Sequence, residues 1–349
     1  QAEVGERLAF SQLAQSLQQL ATQVASSYFA VLQAQDAVAV AEAQGAAIQE
    51  QFEAARESYA AGNATITDQQ EAQARLDLNR AQLAAARNTL ISRQASFAQL
   101  TGLPGTHLNP LPGNAPLRPV PPEPQAWWEA QARTRSFLVQ QAELGMEAAR
   151  HGLDAARAAH YPSVGIVSQA ATQHGQTNLT VGTPIQRSRD VSAMLQVQVP
   201  LYAGGSLQAL ERAQAATLGQ RESQLEAARR GAAQQARDTY LALQSSLQQA
   251  EALQAAVRSS QLALESNNTG YQAGVRINVD VLNAQQQLFQ ARQNLAATRY
   301  AVLLNQLRLK AAIGGLSDAD IEAVDRQLQV RAGGPGAAPS PGPSSLPAP

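Results

Sequence analysis

An ungapped self-match constrains this chain more than any other feature: displaced by 212 positions, residues 23–102 align with residues 235–314. Tyr28 falls on Tyr240, Tyr59 on Tyr271, Gly62 on Gly274, Asp68 on Asp280 and Gly102 on Gly314. Ala72, Gln73, Arg80, Arg87 and Gln94 meet Ala284, Gln285, Arg292, Arg299 and Gln306 at the same offset. Alanine- and glutamine-rich sequence aligns by chance, but tyrosines, glycines and aspartates matched at one offset do not. The chain therefore carries one unit twice.

Each copy reads as helix, tight break, helix. The first helix covers roughly residues 7–58, which at about 1.5 Å per residue is about 80 Å and needs lateral partners throughout. The breaks are Ala61-Gly62-Asn63-Ala64 and Ala273-Gly274-Val275-Arg276. Each puts glycine where a helix end needs a left-handed residue. Thr65 or Thr67, and Asn278, are candidate N-caps for the returning helices.

Those returning helices carry a seven-residue apolar repeat: Leu76, Leu83, Leu90 and Phe97 in copy one, and Val281, Leu288, Leu295, Val302 and Leu309 in copy two. A sustained heptad implies left-handed supercoiling with knobs-into-holes contacts. Tyr240, Leu243, Leu247, Ala250, Leu253 and Val257 give the outgoing helix of copy two a similar stripe. The flanking faces are Ala, Gln, Ser and Arg, which suits a helix with neighbours on two sides. Only 4% of residues are aromatic, so thin alanine-lined layers fit the composition better than bulky globular cores.

Between the copies the period changes to two. In Val191–Leu201 the odd positions (Val191, Ala193, Leu195, Val197, Val199, Leu201) share one face, and Ser192, Met194, Gln196 and Gln198 the other. Residues 163–172 form the weaker partner, and the Gly-rich stretch 174–190 reads as the loop between them. This is a strand pair of membrane-crossing length, and by pattern alone a soluble hairpin fits equally. The chain divides as follows: first hairpin 1–102, Pro-rich linker 103–124, an equatorial entry helix 125–160, a strand pair 161–205, second hairpin 206–314, a C-terminal equatorial segment 315–332, and a disordered Gly/Ala/Pro/Ser tail 333–349.

Several function classes are disfavoured. A net charge of −1 gives no reason to expect nucleic acid. There are no cysteines, so thiol chemistry is excluded. His107, His151, His160 and His174 lack metal-ligand spacing, no phosphate loop or catalytic signature is present, and no cofactor is expected. No run approaches the roughly 18 apolar residues of a membrane helix, so any bilayer contact must be a β-barrel.

Several motifs resemble the TolC family of outer-membrane ducts. Residues 271–284 (YQAGVRINVDVLNA) are similar to its second-repeat tip, and residues 62–73, with Ile66-Thr67-Asp68, to its first. Val199-Pro200-Leu201-Tyr202-Ala203-Gly204-Gly205 looks like its strand-to-helix junction, and Leu100-Thr101-Gly102 like the end of its first repeat. The segment from Ala156-Arg157 to Tyr161-Pro162 looks like its entry to a strand pair. The resemblance covers roughly residues 10–330.

It implies a mainly α fold with a β-barrel portion: coiled-coil hairpins forming an α-barrel tunnel, plus strands of a trimeric outer-membrane barrel. It further implies a homotrimer in the bacterial outer membrane that reaches into the periplasm and meets outer-membrane lipid. Partners would be a periplasmic adaptor and an inner-membrane ABC or RND transporter, for type I secretion, multidrug efflux or both. The chain starts inside its first long helix, which reads as an N-terminal truncation lacking the first strand pair.

By resemblance, Tyr271 and Arg276 match gate-latch positions with Thr67 and Asp68 as partners, and Asp280 matches the pore constriction. The next position one turn on, often acidic in the family, is Asn283 here. Residues at the tips, Ala61, Gly62, Asn63, Ala273, Gly274 and Val275, would dock the adaptor. A blander reading remains open, in which Asp68 favours a helix N-terminus, Tyr271 packs the turn and Asp280 is a solvated acid at a helix start. Asn63-Ala64-Thr65 and Asn178-Leu179-Thr180 are formal glycosylation sequons without meaning in a bacterial protein, and Trp127 and Trp128 read as a local anchor. A periplasmic adaptor or coiled-coil scaffold is the alternative function, but an adaptor carries one such hairpin between small β-domain halves, and a coiled coil would have no reason to keep the alternating strand.

Overall fold

The computed structural model describes residues 2–62, 65–106, 108–112, 117, 119, 121–175 and 186–328. Among the described residues, seven helices and two strands follow one another: α1 (Ala2–Ala60), α2 (Ile66–Thr101), α3 (Gln125–Arg135), α4 (Phe137–Ala158), β1 (Ser163–Gly175), β2 (Gln186–Gln198), α5 (Ser206–Gln272), α6 (Asn278–Ala312) and α7 (Asp318–Asp325). No helix among the described residues is long and apolar enough to cross a membrane. The segment 333–349, expected to be disordered, lies outside the described residues, as does Asn63.

The duplication is visible in backbone geometry. Gly62 and Gly274 have φ of 75° and 71°, and Gly102 and Gly314 have 73° and 70°. Each matched pair sits at the corresponding helix end in the left-handed conformation that side chains with a Cβ resist. At Gly314 a Cβ would also lie 2.7 Å from the Arg135 carbonyl oxygen.

The chain divides into two compact units. One comprises residues 13–137 and 231–349. Its main core gathers Phe29, Val31 and Leu32 of α1, Phe97 of α2, Tyr300, Leu303 and Leu307 of α6, and Val324 of α7, with Leu108 and Leu111 from the linker. Phe29 stacks on Tyr300 at 5.9 Å between centroids. The linker is pinned from both sides. Tyr28 donates its hydroxyl to the Asn109 carbonyl at 3.1 Å, and the Arg299 guanidinium donates to the Pro112 carbonyl at 2.6 Å. Arg237 of α5 grips Glu129 of α3 at 2.9 Å, and Lys310 of α6 pairs with Asp320 of α7.

The heptad positions of α6 are largely buried, with Val281, Leu288, Val302 and Leu309 inside. On α2, Leu76 and Phe97 are buried, whereas Leu78 and Ile91 stand 56% and 63% exposed. Of the α5 stripe, Leu243 and Ala250 are buried, and the small residues Ala232, Ala236, Thr239 and Ser246 are buried with them.

The other unit comprises residues 1–12 and 138–230. In it α4 buries Val139, Leu144, Leu153 and Ala156. Ion pairs Arg7–Glu147 (3.4 Å), Arg229–Glu143 (2.9 Å) and Arg157–Glu211 (3.0 Å) tie it to the start of α1 and the first half of α5.

The strand pair extends beyond the alternating segments. Both strands run 13 residues, and the expected loop 174–190 contributes its ends to them. The antiparallel register pairs Val164 with Val197, Ile166 with Leu195, Ser168 with Ala193 and Ala170 with Val191. Directly paired residues share a face, so the apolar sets of both strands coincide. That face is open: Ile166 is 80% and Val191 84% exposed.

One further expectation changes. The helix expected over 125–160 is two helices broken at Ser136, whose extended backbone (φ −56°, ψ 135°) interrupts it.

Candidate functional site at the hairpin tips

The first tip closes as α1 ends. Ala61 N–H donates to the Glu57 carbonyl and Gly62 N–H to the Tyr59 carbonyl, each at 3.0 Å. The chain re-enters helix at Thr65, the N-cap. Thr65 Oγ1 accepts from the Asp68 amide at 3.3 Å, while Asp68 Oδ2 accepts from the Thr65 amide at 3.1 Å and its hydroxyl at 2.7 Å. This reciprocal box satisfies two helix-end donors. Thr67 is exposed, in the first turn.

The second tip ends in a Schellman turn: Gly274 N–H donates to the Tyr271 carbonyl at 3.0 Å and Val275 N–H to the Gly270 carbonyl at 2.8 Å. Arg276 lays its side chain over Gly270, where a Cβ would come within 2.7 Å of Arg276 Cγ. Its guanidinium reaches Asp280 at 3.5 Å. The cap of α6 is Ile277, without a side-chain bond. Asn278, expected to be the cap, is instead the first helical residue and turns its amide inward.

The two tips touch through polar and apolar contacts. Gln51 Nε2 donates to Asn278 Oδ1 at 2.6 Å, and Asn278 Nδ2 donates to the Asp68 carbonyl at 3.3 Å. Arg75 donates to Asn283 Oδ1 at 2.9 Å and to Gln286 Oε1 at 2.5 Å. Beneath them Ile48, Ala72, Leu76 and Leu282 form a small core with Phe52.

The candidate latch residues are engaged separately. Asp68 spends its carboxylate on Thr65, and Arg276 spends its charge on Asp280. Among the described residues no hydrogen bond or ion pair joins Tyr271 or Arg276 to Thr67 or Asp68. Ala61, Gly62, Ala273, Gly274 and Val275 are exposed. Sequence reasoning missed Gln51 and Arg75. The available signal was divergence at matched positions: Arg75 faces Gln287 across the duplication, and Asn278 faces Ile66.

With the hairpins and strand pair in place, comparison with known proteins is decisive. The model of a family described as outer membrane efflux protein matches residues 1–103 and 128–315. The chain belongs to that family. Members of that family are outer-membrane channels that extend into the periplasm, and this chain is an outer-membrane protein of that family. The outer membrane protein TolC of Vibrio cholerae is 30% identical over 331 residues, covering 94% of this chain and 75% of that protein. The alkaline protease secretion protein AprF of Pseudomonas aeruginosa is 30% identical over 310 residues, 88% of this chain and 64% of AprF. A solved CusC structure superposes with a TM-score of 0.75 at 22% identity, covering 90% of this chain and 72% of that one. The chain therefore spans between about two thirds and three quarters of these relatives.

Proposed function

We propose that three copies of this protein form an exit duct through the outer membrane, closed at its periplasmic end by the hairpin tips. The observation that carries this reading is the strand register, which places both apolar sets on one open face in a chain that also carries a duplicated long hairpin. At about 3.3 Å per residue, 13 paired residues reach about 43 Å. Tilted by about 40°, they rise about 33 Å, long enough to cross the roughly 25 Å apolar band of a membrane barrel, with the apolar pairs running from Val164–Val197 to Ala170–Val191 and polar pairs beyond. A coiled-coil scaffold or periplasmic adaptor has no use for such a band. In this reading β1 and β2 belong to a barrel closed between protomers and facing outer-membrane lipid.

At the tips, Tyr271 and Arg276 act as the latch toward Thr67 and Asp68, with Arg276 exchanging Asp280 for those partners between protomers or states. Asp280, at the start of α6, forms a ring of three carboxylates around the constriction, while Asn283, held by Arg75, adds no charge. The exposed Ala61, Gly62, Ala273, Gly274 and Val275, and Asn63 beside them, offer a docking surface for a periplasmic adaptor that connects to an inner-membrane ABC or RND transporter. Cargo is protein, as the name of AprF states for that relative, or small molecules and ions, as the efflux relatives suggest.

The test is reconstitution of the intact protein in planar bilayers. The expected result is a trimer with small, cation-selective single-channel conductance blocked by divalent cations. Asp280→Ala should relieve the block, and Arg276→Ser should raise the conductance. A monomeric product without channels overturns the duct, and unchanged block in Asp280→Ala removes that residue from the constriction.

A further inference from the structure

The apolar ribbon of the strand pair ends in a charge that the duct reading leaves unused. Along β2 the ribbon face carries Val197, Leu195, Ala193 and Val191, and the next residue on that face is Arg189. Arg189 is paired with Thr172, and both are exposed. Among the described residues Arg189 has no hydrogen-bond or ion-pair partner. Asp190 is paired with Ala171 and lies on the opposite face. The two charges at this end of the sheet are therefore sorted by face, the cation with the apolar side chains and the anion away from them.

Height decides what Arg189 meets. The pairing begins at Ser163 and Gln198, and the exposed Tyr161 and Tyr202 stand just outside it in sequence. From Ser163 to Thr172, at about 3.3 Å per residue, is about 30 Å along the strand. At a tilt of about 40° that is about 23 Å of height, close to the roughly 25 Å apolar band whose borders aromatic residues mark. With the tyrosines at one border, Arg189 comes to the other. An arginine is costly at the bilayer midplane and costs little at the border, and its apolar stem lets the guanidinium reach further out. The Ser163–Gln198 end joins α4 and α5. Because channels of this family extend into the periplasm, the Arg189 end is the one at the outer leaflet.

We infer that Arg189 is a docking point for the phosphate groups of outer-leaflet lipid, one per protomer around the rim of the barrel. The inference rests on the exit-duct reading and deepens it, since that reading asks only that the ribbon meet hydrocarbon. A guanidinium offers paired N–H donors that match phosphate oxygens, and Thr172 carries a hydroxyl on the same face across the pair.

The experiment measures the heat resistance of the intact trimer in phosphatidylcholine vesicles. They are used alone, with diphosphorylated lipid A, with lipid A stripped of its phosphates, or with inorganic phosphate in the buffer. Diphosphorylated lipid A should raise the melting temperature by several degrees, and the stripped lipid and free phosphate should do much less. Arg189→Gln should lose most of that shift, Arg189→Lys, which keeps the charge, should retain most of it, and Asp190→Asn should retain all of it. A shift equal in wild type and Arg189→Gln overturns the docking point, as does a wild-type shift that the stripped lipid or free phosphate reproduces. If Arg189→Gln does not assemble, Arg189→Leu, apolar like its ribbon neighbours, is read in the same way. A wild-type trimer that inserts without distinguishing the lipids overturns the docking point alone, whereas a wild-type protein that enters no bilayer overturns the duct reading itself.

Discussion

Asp36 and Tyr300 form a buried polar pair in the main core. Tyr300 donates its hydroxyl to Asp36 Oδ2 at 2.7 Å. Burial pushes the Asp36 carboxyl above its ordinary range, against the opposing pull of the Tyr300 hydrogen bond and the Arg299 charge. Burial also pushes the Tyr300 phenol upward. A carboxyl whose folded pKa is raised binds its proton more tightly in the native state than in the unfolded chain. Its ionisation therefore opposes folding in full above the folded pKa, and the penalty fades as pH falls toward the unfolded value of about 3.9. Asp36→Asn keeps an acceptor for Tyr300, so it should raise the melting temperature at neutral pH. The gain over wild type should shrink as the buffer is acidified through the mildly acidic range, and a gain constant with pH would contradict this account. The residue scale was also the hardest to read from sequence. In sequence Asp68 fits both a charge favouring a helix N-terminus and a latch, and the reciprocal box with Thr65 shows only in the fold. Asn278 was read as a cap because Asn favours that position, whereas a partner 227 residues away in the chain turns it inward.

Among the elements, the first hairpin interlocks through Gly45 and Asn79. The Asn79 amide is buried and donates to the Ala41 carbonyl at 3.2 Å, and a Cβ on Gly45 would lie 2.6 Å from Asn79 Oδ1. Gly45→Ala gains helix propensity of up to about 1 kcal/mol. It also displaces a buried amide, at a cost of about 1–3 kcal/mol, so the net effect should be a lower melting temperature. Gly45→Ala combined with Asn79→Ala removes the clash and should recover most of the loss. A single variant as stable as wild type would show that Asn79 relocates freely. The matched positions in copy two are Val257 and Ala291, so the interlock belongs to one copy alone. Helices, heptads and turn glycines were legible because their causes are local: a repeat period, a glycine with positive φ. The break at Ser136 was not. Neither Pro nor Gly marks it, and the neighbouring Arg135 carbonyl is instead approached by Gly314 of a distant helix end. The polar ends of the strands were read as loop for a related reason. Alternation reports burial on one side, and residues 186–190 continue the pairing without it.

At the scale of the whole molecule, the register of β1 and β2 makes a prediction about membrane residence. Ile166 is paired with Leu195 in the middle of the apolar strip. In the proposed trimeric duct an arginine there would cost about 2–4 kcal/mol per protomer at the bilayer midplane, in each of three protomers. Ile166→Arg should sharply reduce trimers in the outer-membrane fraction, while Gln169→Arg, on the opposite face, should leave them near wild-type amounts. Equal loss from both would argue that the strip does not face lipid. The open strip also sets an order of events during biogenesis. In the proposed duct the helical hairpins bury their seams in water, whereas Val164, Ile166, Leu195 and Val197, all exposed in this structure, stay uncovered until lipid meets them. A newly exported protomer is therefore adhesive along one ribbon for as long as it lacks a bilayer, and its survival in the periplasm becomes a race between insertion and self-association.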